Sequence, residues 1–254
     1  MTTNGTNGAN SAARRALILQ EMGLSPQWHL RGAPAAQDTP AVPNATVAPP
    51  AADSSDRSAA ISRMDWPQLK ACVADCTQCG LHARRNKTVF GVGDENADWL
   101  FVGEGPGADE DAQGEPFVGQ AGKLLDNMLA AIQLARGTNV YIANVVKCRP
   151  PGNRNPEPAE AQACQPYLHR QIDLIRPKLI VALGKVAATH LLAREASVAS
   201  LRNKVHTYRG IPMIVTYHPA YLLRSLSEKA HAWEDLCFAV DTLQGLKSAV
   251  SETI

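Results

Sequence analysis

Four cysteines in the chain are spaced for metal chemistry. Cys76 and Cys79 form a Cys-x2-Cys pair, and Cys148 and Cys164 follow, sixteen positions apart. Such a pair brings two thiolates onto one metal centre, and two more complete a four-sulfur shell. Spacing alone admits either zinc or a [4Fe–4S] cluster. Free cysteines are often buried in apolar surroundings. Cys148, however, stands between Lys147 and Arg149, a poor context for that role.

A second group of residues suits acid–base and base-recognition chemistry. The apolar run Trp99-Leu100-Phe101-Val102 leads straight into Gly103-Glu104-Gly105-Pro106-Gly107. Glycines let this turn approach a ligand closely, and Glu104 places one carboxylate at its tip. The loop matches neither GxxxxGK[ST] nor GxGxxG, and a carboxylate would repel phosphate. Water activation, or stabilisation of a cationic transition state, fits Glu104 better. Phe117 stands just before a helical pattern, where its ring could stack on a base. Asn144 ends a strand-like run, and an amide can both donate to and accept from a base edge. His218, in Thr216-Tyr217-His218-Pro219-Ala220-Tyr221-Leu222-Leu223-Arg224, follows another such run. Taken singly, Phe117 could be core, Asn144 a turn residue and His218 a cap. Their shared place at strand ends favours a site.

Cys72 adds a competing pattern, Cys72-x3-Cys76-x2-Cys79, the spacing of radical S-adenosylmethionine enzymes. That pattern leaves Cys148 and Cys164 without a task. Trp66, Leu69, Cys72 and Val73 also fall on one helical stripe, so Cys72 is expected in the core. Cys237, among Trp233, Leu236 and Val240, is expected to pack likewise.

The elements that must position these residues alternate along the chain. Short apolar, β-branched strands are expected at Trp99–Gly103, Val140–Val146, Leu179–Gly184 and Met213–Tyr217. Helices are expected at Ala121–Leu134, Glu157–Ile175, Lys185–Ala193 and around Glu228–Leu246, with Asn155-Pro156-Glu157 opening the second. The alternation implies an α/β fold of three layers, α/β/α, around a central four-stranded parallel sheet. Ligands in such folds bind outside the carboxyl ends of the strands, where Glu104, Asn144 and His218 fall.

Composition divides the 254 residues into three parts. Residues 1–31 carry a short helical stripe with Leu17, Ile18 and Met22, read first as a loosely docked or unattached helix and second, over residues 11–31, as a docking segment for a protein partner. Residues 32–62 are rich in Ala and Pro and read as a disordered linker, because they bury too little apolar surface to offset their ordering entropy. Residues 63–254 form the folded domain. Lys and Arg total 25 against 24 acidic residues, so no global field announces nucleic acid, although a local basic stripe can bind it. Arg84, Arg85, Lys87, Lys147, Arg149, Arg154 and Arg224 could form such a stripe. No apolar run spans a membrane and no secretory signal opens the chain, so a cytoplasmic protein with reduced cysteines is expected. It is expected to act as a monomer.

The motifs GEGPG, EDAQGEPFVGQAGKLLD, NVVKCRPPGNRNP and TYHPAYLLR together resemble the family-four uracil-DNA glycosylases, the bacterial and archaeal iron–sulfur branch of their superfamily. The resemblance runs from about Met64 onward. It implies a hydrolytic, monofunctional enzyme that flips uracil out of single- or double-stranded DNA and initiates base excision repair. It also implies a [4Fe–4S] cluster on Cys76, Cys79, Cys148 and Cys164. Glu104 then matches the water-positioning acid, Phe117 the uracil-stacking ring, Asn144 the uracil-reading amide and His218 the histidine facing uracil O2. Gly103 and Gly105 line the substrate loop, although the family more often has Ala at the second. Glu110 matches a further acid of that loop. Leu222 matches the wedge that fills the space left by the flipped base. A sister branch that couples covalently to its product has Gln in place of Glu104 and a basic, His-containing insertion after the second strand. The span Cys148–Cys164 has no such insertion, and His206 lies elsewhere, at most in a DNA-facing loop. The other readings open at this point are an iron–sulfur electron-transfer or sensing protein and a non-catalytic DNA-binding module.

Overall fold

The computed structural model describes residues 54–251; the expected helix and partner segment of residues 11–31 lie outside them. A six-stranded sheet organises this part of the chain. Its strands are β1 (Val92–Gly93), β2 (Trp99–Gly103), β3 (Val140–Asn144), β4 (Leu179–Leu183), β5 (His206–Tyr208) and β6 (Ile211–Thr216), in the order β1-β3-β2-β4-β6-β5. The four inner strands are mutually parallel, as the alternation of elements requires. The short edge strands β1 and β5 pair antiparallel and extend the expected four-stranded sheet to six. With two or three residues each, they are too short to leave a periodic signal.

Every residue of β2, β3 and β4 is buried, which explains their unbroken apolar sequences. Alternate side chains feed two cores. Leu100, Val102, Ala143, Ile180, Ala182 and Val215 face one layer, made by α1 (Ser54–Ile61), α2 (Trp66–Ala74), α5 (Pro158–Ile175), α6 (Gly184–Leu192) and α7 (Val198–Leu201). Trp99, Phe101, Ile142, Val181, Leu183 and Ile214 face the other, made by α4 (Gln120–Ala131), α8 (Pro219–Leu222) and α9 (Glu228–Ser251). A short helix, α3 (Ala108–Gln113), lies in the loop that follows β2.

Local chemistry sets the helix ends. Asp65 accepts from the Gln68 amide at 2.9 Å while the Gln68 side chain accepts from the Asp65 amide, a reciprocal cap that starts α2. The helix expected to open at Asn155 begins later: Glu157 is the cap residue and Pro158 occupies the first turn. The Glu160 carboxylate there accepts from the Glu157 amide and from both terminal nitrogens of Arg154. That acidic cap, rather than Asn155, satisfies the helix start.

Helix α1 corrects the domain boundary. Residues 54–61 lie inside the stretch read as linker, yet they are helical and Ile61 is buried in the core. Arg57 donates to the Ala163 carbonyl at 3.0 Å, and its guanidinium lies 4.9 Å from the centre of the Tyr167 ring. One buried isoleucine and one arginine contact anchor a segment whose average composition looks disordered. Among the described residues, no helix is long and apolar enough to cross a membrane.

Candidate functional site

The strand order reverses between β2 and β4, and a cleft of about 710 Å³ opens beyond their carboxyl ends. Glu104, Gly105, Phe117, Asn144 and His218 all line it. The β2–β3 pairing continues past the strands: the Val145 amide donates to the Gly103 carbonyl at 2.9 Å, and Val146 to Glu104 at 3.2 Å. The loop carrying Glu104 is thereby fixed beside the end of the strand carrying Asn144.

Glu104 is partly buried, and loss of hydration pushes its pKa up to about 7. It is therefore poised to hold a proton or a negative charge near neutrality, as acid–base work requires. Glu110 does something different. Its Oε2 accepts from the Gly107 amide at 3.0 Å, and its Oε1 accepts from the amides of Val118 and Gly119 at 2.9 and 3.1 Å. One carboxylate so ties the glycine loop to the segment after Phe117. The signal for this was in the sequence: an acid three residues into a helix that opens on Gly107.

Asn144 is 2 % exposed, and its Oδ1 is buried without a protein hydrogen-bond partner. Such an atom is costly to leave unpaired, so it marks a place built for a donor. A Cβ added at Gly103 would lie 2.5 Å from that oxygen and 2.6 Å from the Phe117 ring. Gly103 is thus required by crowding, and it brings the amide and the ring together. Gly105 is packed similarly, its missing Cβ facing the Val146 side chain at 2.7 Å. Phe117 adopts a left-handed backbone (φ 55°), a conformation that costs a bulky residue roughly 1–2 kcal/mol.

His218 caps α8, its Nδ1 accepting from the Ala220 amide at 3.1 Å. An accepting Nδ1 leaves the ring proton on Nε2. Burial depresses the histidine pKa to about 4, with Arg224 acting in the same direction, so the ring is neutral at pH 7. Its centroid lies 5.5 Å from that of Phe117. The cleft therefore offers a partly buried carboxylate, an unsatisfied amide oxygen, an aromatic face and a neutral imidazole donor.

The four spaced cysteines surround a separate small cavity, together with Arg85, Lys147 and Tyr167. The Lys147 amide donates to the Cys164 sulfur at 3.3 Å, and Arg85 donates to the Cys148 sulfur at 3.3 Å and to the Cys76 carbonyl at 2.6 Å. Burial raises the Cys79 and Cys148 thiol pKa values and pushes Cys164 up to about 12. Thiolates there need a strong positive partner, which is what a metal centre supplies. Among the described residues, no three His, Cys, Asp or Glu side chains are gathered as one metal ion would require. Cys72 sits outside this set, its sulfur 3.6 Å from the Tyr167 hydroxyl.

Other expected site residues lie elsewhere. Leu222, the expected wedge, is 1 % exposed and packed in the core beneath α8. Tyr221 in the four-residue helix and Leu223 just after it face outward instead, at 39 % and 42 % exposure. Lys147, expected on a DNA-facing stripe, is fully buried; its Nζ donates to the Asn144 carbonyl at 2.9 Å and to Gln171 Oε1 at 2.6 Å. Arg85 likewise spends its guanidinium on the cysteine loop. His206 lies on β5, its Nε2 2.8 Å from the Leu201 carbonyl, rather than in a free loop.

Residues 90–237 match the uracil DNA glycosylase superfamily. A type-4 uracil-DNA glycosylase of Archaeoglobus fulgidus is 46 % identical over 159 residues, covering 59 % of this chain and 79 % of the relative. One from Thermotoga maritima is 45 % identical over 62 % of this chain and 82 % of the relative. One from Pyrobaculum aerophilum is 39 % identical over 68 % and 92 %. The chain belongs to the type-4 branch of the uracil-DNA glycosylases.

Proposed function

We propose that the protein removes uracil from DNA by hydrolysing its N-glycosidic bond, initiating base excision repair, and that the cleft beyond β2 and β4 performs the reaction. The observation that carries this reading is the buried, unpartnered Oδ1 of Asn144 beside the Phe117 ring. Uracil offers a flat face to stack and an N3–H to donate. Reaching this cleft requires the nucleotide to leave the helical stack, at a few kcal/mol. The outward-facing Tyr221 and Leu223, rather than the buried Leu222, would fill the vacated stack, a reading their exposure supports.

Cleavage builds positive charge on the sugar and negative charge on the departing base. His218, neutral with its proton on Nε2, donates to uracil O2 and stabilises the anion; fixed donors in a dry site act strongly. Glu104 in its ionised form orients the attacking water and offsets the cationic sugar. Glu110 is committed to three backbone amides and serves to hold the walls together.

Cys76, Cys79, Cys148 and Cys164 are proposed to hold a [4Fe–4S] cluster. When bound, it supplies the positive charge that keeps the buried sulfurs as thiolates and ties the segment after β3 to α2 and α5. Purified protein is expected to be brown, with iron and acid-labile sulfide in equal amounts. A colourless, active protein carrying stoichiometric zinc would overturn this assignment.

The function itself is tested by incubating the protein with a single-stranded oligonucleotide bearing one uracil, followed by alkali. Strand cleavage at the uracil position is expected, and intact strands would refute the reading. We assign the catalytic unit to residues from about 54 onward, because α1 docks on α5 through Arg57. Removing residues 1–50 is expected to leave the rate on short oligonucleotides nearly unchanged. Extending the deletion to residue 61 is expected to cost stability through loss of the buried Ile61.

A further inference from the structure

Arg136 lies in the turn between α4 and β3, outside the motifs that supply the cleft. Its Nη1 donates to the Pro116 carbonyl and its Nη2 to the Phe117 carbonyl, each at 2.8 Å. Nε and Nη2 also meet Asp126 Oδ1 on α4, at 3.1 and 3.0 Å. The planar guanidinium thus joins two consecutive carbonyls to one carboxylate, a geometry that no lysine reproduces. The two carbonyls flank the left-handed Phe117, whose conformation is unfavourable unless its surroundings hold it.

We propose that Arg136 is a positioning residue for base recognition: it clamps the strained Phe117 turn so that the ring stands ready to stack on uracil before substrate arrives. This rests on the reading of Phe117 as the stacking face. Stacking acts on the base in the ground state and the transition state alike, so its loss raises KM more than it lowers kcat. Binding of undamaged DNA does not use the pocket and is not expected to respond.

The experiment compares wild type, Arg136→Ala, Arg136→Lys and Phe117→Ala as holoproteins. It measures kcat and KM on a uracil oligonucleotide, inhibition by free uracil, and affinity for the same oligonucleotide without uracil. For Arg136→Ala, the inhibition constant of uracil and KM are expected to rise together by about tenfold, the loss typical of a charge-assisted pair of hydrogen bonds. kcat is expected to change much less, and Arg136→Lys to fall between. Guanidinium added at sub-denaturing concentration, but not sodium at equal ionic strength, is expected to restore part of the uracil affinity, since the Arg136 side chain is 23 % exposed. Thermal unfolding of each variant separates folding from positioning. Unchanged uracil inhibition in a folded Arg136→Ala, or loss without guanidinium rescue, would overturn the clamp. If Phe117→Ala itself leaves uracil inhibition unchanged, the stacking reading fails instead, and the clamp with it.

Discussion

Replacing Glu104 with Gln is expected to slow single-turnover excision by about 10²–10³-fold, in the range for a positioned general base or charge-stabilising group. Affinity for uracil-containing DNA should change by only a few-fold. The amide keeps the size and one hydrogen-bonding oxygen of the carboxylate but loses the charge. That charge matters most as the sugar becomes cationic, so the penalty falls on the chemical step. A pH series isolates the same group. Burial raises the Glu104 pKa to about 7, and the proposed mechanism uses its ionised form. Excision should therefore rise with pH across about pH 6 to 8 and level off above. His218, depressed to about 4, stays neutral over this range and adds no second limb. In Glu104→Gln the rise should vanish along with most of the rate. Equal single-turnover rates for the two proteins would remove this carboxylate from the chemistry. Glu110 could not take its place without releasing the three amides it holds.

Much of this site could be read from the sequence because strand ends leave a local signature. β2, β3 and β4 are buried on both faces, so their apolar runs are unbroken and their ends are sharp. Glu104 follows the end of β2, Asn144 is the last residue of β3 and His218 stands just past β6, so parallel pairing brings these three together, whereas Phe117 arrives on the loop before α4. Arg136 leaves no comparable trace: its work is done through main-chain carbonyls twenty residues away, and nothing in the residue type announces that. Lys147 misleads for a related reason. Followed by Cys148 and Arg149 it resembles a surface cation, but Gln171 and the Asn144 carbonyl give it partners that make burial tolerable. Leu222 was assigned by its place in a motif, whereas burial is set by the helical turn of α8. In a four-residue helix, one position decides whether a side chain faces core or solvent. Helix α1 hid behind averaged composition, since one isoleucine and one arginine suffice to dock it.

Replacing Asn144 with Asp is expected to abolish most uracil excision, by at least about 10²-fold, the scale seen when a site built for polar contacts leaves them unpaired. Uracil presents an O4 acceptor and an N3–H donor; cytosine presents an N4 amino donor and a bare N3 acceptor. The wild-type amide serves uracil with its NH2 toward O4 and Oδ1 toward N3–H, and would have to rotate to serve cytosine. Crowding limits that rotation: Oδ1 lies so near Gly103 that an added Cβ would come within 2.5 Å of it, while Lys147 holds the main-chain carbonyl of the same residue. In Asn144→Asp one oxygen can accept from cytosine N4, so weak cytosine excision should appear. It should stay weak. The second oxygen faces cytosine N3 acceptor to acceptor unless one of them is protonated. Burial favours a protonated Asp, and so does the negative charge of Glu104 in the same cleft. Yet Glu104 must itself be ionised to act, which requires pH near or above about 7. Both conditions are met together only between the two pKa values, so cytosine excision should be confined to a window of pH and fall away on either side. Product formation from matched oligonucleotides carrying one uracil or one cytosine, followed across pH, measures both effects. Full uracil activity in Asn144→Asp would take this side chain out of base reading and leave discrimination to backbone groups of the cleft.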